Sequence, residues 1–217
     1  MIFTVTLGRF FLQYFSYAIV AVLFICVIRI TIYWKRGNTK MSTDSLTGCN
    51  SRLATQELVK KLNPRKDIDI AVIYLDLNHF KPINDTYGHD VGNQILCIFS
   101  DVLMEVFHEK GYVGRLGGDE FAIILQYEEK EQVVTIAKKI LAEIEKSDGF
   151  SSVVRRFSAK DVKLEKENYA GCSIGIAYIE GVSSEADFET IRKNADAALY
   201  YVKENGRNNY MEFRERM

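Results

Sequence analysis

The chain has 217 residues, 47% of them hydrophobic, and a formal charge of −1 at neutral pH. That is enough for one well-cored domain with a small appendage, and too little positive charge for a nucleic-acid binder. Cys26, Cys49, Cys97 and Cys172 show no CxxC spacing, so neither a zinc site nor a disulfide framework is indicated.

The appendage is at the N-terminus. Phe10–Ile28 holds no charge and no proline, and at about 1.5 Å per residue such a helix approaches the roughly 30 Å hydrocarbon core. Tyr14, Tyr17, Tyr33 and Trp34 supply interfacial aromatics, and Arg29, Lys35 and Arg36 follow where a signal peptide would carry small residues. The expected division is a short segment over 1–9, a transmembrane helix over 10–32, a juxtamembrane linker over 33–43 and a soluble domain over 44–217. Arg9, Arg29, Lys35, Arg36 and Lys40 are the five charges of the first 43 residues, and four of them lie at or beyond the end of the span. This bias predicts a single-pass protein of the cell (inner) membrane with its C-terminal domain in the cytoplasm. Removing those five charges from −1 leaves −6 on the soluble part, which again argues against nucleic acid.

In the soluble part, hydropathy patterning predicts helix over 52–62, strand over 70–76, helix over 91–107, a β hairpin over 112–126, helix over 130–145, strand over 171–179, helix over 187–204 and a short strand near 209–213. The polar stretch between Ser147 and Asn168 is expected to be a surface hairpin or loop. The pattern is α+β, an antiparallel-rich sheet with helices packed around it.

Chemistry concentrates at two places. Ile70–Leu75 is a buried-strand run that delivers Asp76 at its C-terminal end, where a carboxylate can bind Mg²⁺ and leave positions for substrate phosphates. The amides of His79, Phe80 and Lys81 could cradle those phosphates, and the Lys81 ammonium could neutralise them. Asn84, His89 and Asn93, around the next helix start, suit the polar edge of a purine; taken singly, each is an ordinary cap or turn residue. The second place is Arg115-Leu-Gly-Gly-Asp-Glu-Phe121. Here Gly117 and Gly118 make a tight hairpin turn whose bare backbone can lie against a flat ligand, and Asp119 and Glu120 follow at once.

These motifs together resemble the GGDEF-domain diguanylate cyclases. Asp44-Ser-Leu-Thr-Gly48 with Arg52 resembles the family's opening motif. Asp76-Leu-Asn-His-Phe-Lys81, Asn84-Asp85 and Gly88-His89-Asp90-Val91-Gly92 match its nucleotide site. Arg115 to Phe121 is the naming motif, Ser173-Ile-Gly175-Ile-Ala177 resembles a later core strand, and Ala195-Asp196, Tyr200, Lys203 and Gly206-Arg207-Asn208 match the last helix and its exit. The resemblance implies a palm-like nucleotide-cyclase fold and a homodimer that joins two GTP into cyclic di-GMP. It implies Mg²⁺, with Mn²⁺ as a substitute, on Asp76, the Leu77 carbonyl, Asp119 and Glu120. By the same resemblance Asp119 and Lys81 are catalytic, Asn84, His89, Asn93, Gly117 and Gly118 hold the nucleotide, and Lys203 and Arg207 take its outer phosphates.

Three departures bear on function. Asn93 stands where the family has an aspartate that accepts two bonds from guanine, and an amide offers one acceptor and one donor instead. Losing one charge-assisted bond costs about 1.5–3 kcal/mol. Cys49 and Ser51 replace the family's leucine and asparagine in the opening motif, a matter of packing and capping. His108 and Gly111 occupy the Arg and Asp positions of the Arg-x-x-Asp site through which relatives bind product, so no such site is expected. Two alternatives remain beside an active cyclase: a catalytically weak GTP-binding or scaffold module, and a cyclase with relaxed base choice.

Overall fold

The computed structural model describes residues 23–29, 42–62, 69–107, 111–146, 149–157, 171–181 and 185–215. The chain divides into two units, Met1–Ser42 and Thr43–Met217. In the first, residues 23–29 are helical, with Leu23, Phe24, Ile25, Val27 and Ile28 exposed. The rest of the span expected over 10–32 lies outside the described residues, as do most of the 33–43 linker and the 1–9 segment. Among the described residues no helix is long and apolar enough to cross a membrane.

The second unit is built on β1 (Ile70–Leu77), the middle of a five-stranded sheet. Its order is β2 (Gly111–Gly117), β3 (Glu120–Gln126), β1, β4 (Cys172–Ile179) and β5 (Tyr210–Glu212). Every pairing is antiparallel except β4 with β5, which is parallel. The antiparallel-rich α+β expectation therefore holds.

The continuous apolar run of β1 reflects burial on both faces, where a one-sided strand would alternate. Ala71, Ile73, Leu75 and Leu77 join the larger core with α2 (Phe80–Tyr87), α3 (His89–Val106), α4 (Lys130–Lys146) and α5 (Gly149–Phe157). Ile70 and Val72 join a smaller core with Ile191 and Ala195 of α6 (Glu185–Glu204), and Tyr74 packs against it. α6 lies so close to β4 that a Cβ on Gly175 would meet the Ala195 carbonyl and the Leu199 backbone. Any side chain there would push the helix, and the residues at its end, off the sheet. α1 (Arg52–Leu62) starts at Ser51, whose hydroxyl accepts from the Ala54 amide at 3.2 Å. This serine is a helix cap, and Cys49 beside it is buried at 2% exposure. The two substitutions in the opening motif thus concern capping and packing, as expected.

Two helices correct the expectations. α2 occupies a stretch expected to be loop. Its Pro82 is the third residue of the helix, within the first turn, where no intrahelical N–H bond is lost. Residues 149–157 form α5 where a surface hairpin or loop was expected. Phe150 and Val154 are fully buried in the larger core, and that apolar stripe holds the helix down. The remainder of the 147–168 stretch lies outside the described residues.

Candidate active site

The site forms where the C-terminal end of β1 meets the β2–β3 turn. Asp76 lies directly across from Glu120 of β3 and Ser173 of β4. The Leu77 amide donates to the Asp119 carbonyl at 3.4 Å, while the Leu77 side chain is buried. Gly117 and Gly118 turn the chain with φ of 148° and 54°, values that a Cβ would strain. A register shift between Arg115 and Gly117 marks a bulge, which bends the strand into the turn. Phe121 anchors the start of β3: fully buried, its ring stands edge-on to Phe99 of α3 with centroids 4.9 Å apart. The backbone that carries Asp119 and Glu120 is thereby anchored by an apolar plug.

Asp76 is buried, with a side-chain exposure of 11%, and its Oδ2 lies 2.7 Å from the Lys203 ammonium at the end of α6. Burial pushes its carboxyl above the ordinary value; Lys203 pulls it back, and the fields of Asp119 and Glu120 add to the rise. Glu120 is exposed and lines a cavity of about 270 Å³ that α1 and α6 wall, together with Arg52, Tyr74, Phe188, Arg192 and Asp196.

The donor set bears on a metal. Asp76, the Leu77 carbonyl, Asp119 and Glu120 offer only hard oxygens. Among the described residues, though, no three acidic, histidine or cysteine side chains gather into a set that could hold an ion by itself. One or two carboxylates beside an open approach is what Mg²⁺ takes when substrate phosphates and water complete its shell. The residues present fit a cation bound jointly with substrate better than a caged structural ion.

The remaining predicted residues stand on neighbouring elements. Lys81 is exposed on α2, and His89 and Asn93 are exposed in the first turns of α3. Asn84 is half-buried, and its Oδ1 is buried with no hydrogen-bond partner. A Cβ on Gly92 would collide with that oxygen and lie 3.2 Å from Phe80 Cζ, so Gly92 is bare to admit Asn84. A buried acceptor without a donor is costly. Arg207 is exposed just past α6 and, with His79 and Asn208, is among the non-glycine residues in left-handed backbone, at φ 58°, 57° and 49°. Such conformations persist where surroundings over-determine them, often at ligand sites.

Two sets of functional residues escape the sequence assignment. The first is Asn78, Ser173 and Asn208. Asn78 donates from Nδ2 to Asn208 Oδ1 at 2.8 Å and accepts from Ser173 Oγ at 2.7 Å, and its amide donates to the Gly171 carbonyl at 2.8 Å. Asn78 and Ser173 are 2% and 0% exposed. The network ties the loop after β1 to the exit of α6 and so sets Lys81 relative to Lys203 and Arg207. All three residues fall inside the family-like motifs, but nothing in the sequence pairs them with one another. The second set is Arg115 with Asp44. Arg115 donates from Nε and Nη2 to the Gly118 carbonyl at 3.0 and 2.7 Å, and from Nη1 to Asp44 Oδ1 at 3.0 Å. Thr47 donates to the same oxygen from its amide and hydroxyl, at 2.9 and 2.7 Å. Although burial pushes the Asp44 carboxyl up, the Thr47 bonds and the Arg115 charge outweigh it and hold the group below its ordinary value. The opening motif is thereby clamped to the glycine turn. Of the expected Arg-x-x-Asp positions, Gly111 begins β2 and His108 lies outside the described residues.

Comparisons with known proteins agree with this architecture. The family described as "Diguanylate cyclase, GGDEF domain" matches residues 41–209. The cyclic di-GMP phosphodiesterase PdeR of Escherichia coli K12 is 31% identical over 177 residues, 81% of this chain and 24% of that protein. The probable diguanylate cyclase DgcF of the same strain is 30% identical over 76% of this chain and 49% of its own length. The chain thus spans about a quarter of the first of these relatives and about half of the second. The crystal structure of the coiled coil and GGDEF domain of DgcB from Caulobacter crescentus, in complex with c-di-GMP, superposes with a TM-score of 0.74 at 26% identity, covering 90% of this chain and 97% of that one. By the family match over well more than half of its length, the chain belongs to the GGDEF-domain diguanylate cyclase family.

Proposed function

We propose that the chain is a diguanylate cyclase that condenses two GTP into cyclic di-GMP and two pyrophosphates. It acts as a homodimer in which each domain presents one nucleotide. The observation that carries this reading is the Asp76–Lys203 pair at the end of β1, directly across from Glu120 and tied through the Leu77 amide to the Asp119 carbonyl, beside the bare Gly117-Gly118 turn. In each half-reaction a 3′-hydroxyl oxygen bonds to the α-phosphorus of the facing GTP, the bond to the β-phosphate oxygen breaks, and the hydroxyl proton passes to Asp119 or to water.

Asp76, the Leu77 carbonyl, Asp119 and Glu120 would hold Mg²⁺, or Mn²⁺ in its place. Such an ion, when bound, polarises the α-phosphate and acidifies the attacking hydroxyl. Lys81 balances charge that develops on the phosphate, and Lys203 and Arg207 hold the outer phosphates. Gly117 and Gly118 let the nucleotide lie on the backbone. Asn84, His89 and Asn93 address the guanine edge, as the family resemblance implies.

The uncharged Phe10–Ile28 run and the basic residues after it support a single-pass anchor in the cell membrane with the cyclase domain in the cytoplasm, where GTP is. Histidine and glycine at positions 108 and 111 support the absence of a product site of the Arg-x-x-Asp type. Asn93 favours a second reading, a cyclase that also accepts ATP.

The test is to incubate the purified full chain, in detergent, with Mg²⁺ and GTP, ATP or both, and to identify products by mass. Cyclic di-GMP and pyrophosphate from GTP alone are expected, and mixed dinucleotides would reveal relaxed base choice. Nucleotide binding without any cyclic product would leave a scaffold module and overturn the proposal.

A further inference from the structure

Lys203 does something here besides waiting for phosphate. Its ammonium lies 2.7 Å from Asp76 Oδ2, with side-chain exposures of 30% and 11%. A carboxylate buried this deeply needs a positive partner close by, and Lys203 supplies it on the carboxylate that a metal would use. From this contact we infer that Lys203 is an internal counterion that occupies Asp76 until a nucleotide draws it away, so that divalent cation and nucleotide bind cooperatively. The inference rests on the cyclase reading of the same site.

A cation arriving without nucleotide meets an Asp76 oxygen already taken and an ammonium of like charge beside it. Displacing Lys203 into water would then break a charge-assisted bond with nothing returned. An incoming triphosphate changes this, because lysine is a compact charge on a flexible stem that can turn from carboxylate to phosphate without moving its helix. Arg207 lies four residues on, in left-handed backbone, exposed and in no ion pair among the described residues. It offers the phosphates a first foothold near Lys203. Once Lys203 has turned, Asp76 is freed for the cation. Because coupling between two ligands is reciprocal, the cation must strengthen nucleotide binding by the same factor.

The experiment uses Mn²⁺ as probe, its free concentration read by electron paramagnetic resonance, on the full chain with and without guanosine 5′-(α,β-methylene)triphosphate, which cannot react; a protein-free titration supplies the Mn²⁺ that the analogue itself chelates, and this is subtracted. In the wild type the analogue should raise Mn²⁺ affinity by about tenfold or more. Lys203→Met should bind Mn²⁺ about tenfold more tightly than wild type in the absence of nucleotide, and the analogue should raise its affinity by a smaller factor than in wild type, the remaining gain being the phosphates' own ligation. Lys203→Gln serves as a second variant, and circular dichroism checks that each remains folded. A Lys203→Met affinity equal to wild type would overturn the counterion role, as would an equal gain in Arg207→Met, which would point to general loss of positive charge. Equal Mn²⁺ affinity of the wild type with and without analogue would also overturn it while leaving the cyclase reading intact. If no variant binds Mn²⁺ under any condition, the metal assignment fails and takes the inference with it.

Discussion

Around the end of β1 the polar side chains are tied to one another: Asp76 to Lys203, Asn78 to Ser173 and Asn208, Arg115 to Gly118 and Asp44. Along α2 and the start of α3 they are not. Asn84 keeps a buried oxygen without a partner, and His89 and Asn93 stand exposed with no hydrogen bond among the described residues. The first half, where Asp76 and Lys203 would meet the metal and phosphates, is held by side-chain bonds within the protein. The second, which would meet the base, has no such bonds from His89 or Asn93 among the described residues. Preorganised groups avoid an ordering cost at the moment of binding, but their loss then disturbs fold and function together. Open groups can be exchanged with effects confined to recognition.

The severest break in the ordered half is Asp76→Asn. It removes a charged oxygen donor and leaves Lys203 without its partner. We expect cyclic di-GMP synthesis to fall by at least about a hundredfold, the scale for losing one preorganised charge-stabilising group, while circular dichroism stays like the wild type. Wild-type-like turnover would show that the chemistry is placed elsewhere.

Next comes Asn208→Ala, which strands the Asn78 Nδ2 donor in a buried place. The expected stability loss is about 1–3 kcal/mol, measured by denaturant unfolding. A rise in KM larger than the fall in kcat should accompany it, because in the proposed site the α6 exit would hold phosphates and make no bond to the reacting hydroxyl. Asn208→Asp should recover much of both, since a carboxylate accepts the same bond. Lost stability with unchanged KM would make the network a structural feature only.

Arg115→Met tests the clamp and its pH dependence. Asp44 has its folded pKa below its ordinary value of 3.8, so its contribution is present above that value and is lost as pH falls through the lower folded one. The variant should therefore be less stable near neutrality and lose less of its remaining stability on acidification below pH 3.8. Arg115→Lys should not rescue, because one ammonium cannot reproduce the fork that meets Gly118 and Asp44 at once. Parallel acid curves for variant and wild type would remove Arg115 from the account.

The same contrast explains what the sequence could and could not disclose. Ile70–Leu75 was legible because burial on both faces demands an unbroken apolar run, and Gly117-Gly118 because its backbone angles admit little else. α2 was hidden by Pro82 and Asn84-Asp85, residues typical of turns that a first helical turn also tolerates. α5 was hidden because nine residues between polar stretches carry too short an apolar stripe to separate from a loop. Pairings such as Asn78 with Asn208, 130 positions apart, leave no local pattern, and a periodicity argument cannot find them. Asp76, Asp119 and Lys203 were found through a known motif, but the contact between Asp76 and Lys203 was not, since the two residues lie far apart in the sequence and leave no local pattern.

The smallest effect should come from the open half, at Asn93. Its amide offers one acceptor and one donor where a carboxylate would offer two acceptors. Guanine presents N1–H and N2–H₂ donors, so only the Asn93 oxygen serves it well. Adenine presents an N1 acceptor beside an N6 donor, a pattern that an asparagine amide can complement and a carboxylate would repel in part. Because Asn93 is exposed and untied, Asn93→Asp should leave stability unchanged and act on base choice alone. GTP should be preferred in both proteins, and the GTP/ATP ratio of kcat/KM should rise about tenfold in the variant, equivalent to about 1.4 kcal/mol. An unchanged ratio would mean that Asn84 and the walls around it already fix the base. The open half would then be selective through shape, and the contrast with the ordered half would be one of exposure rather than of function.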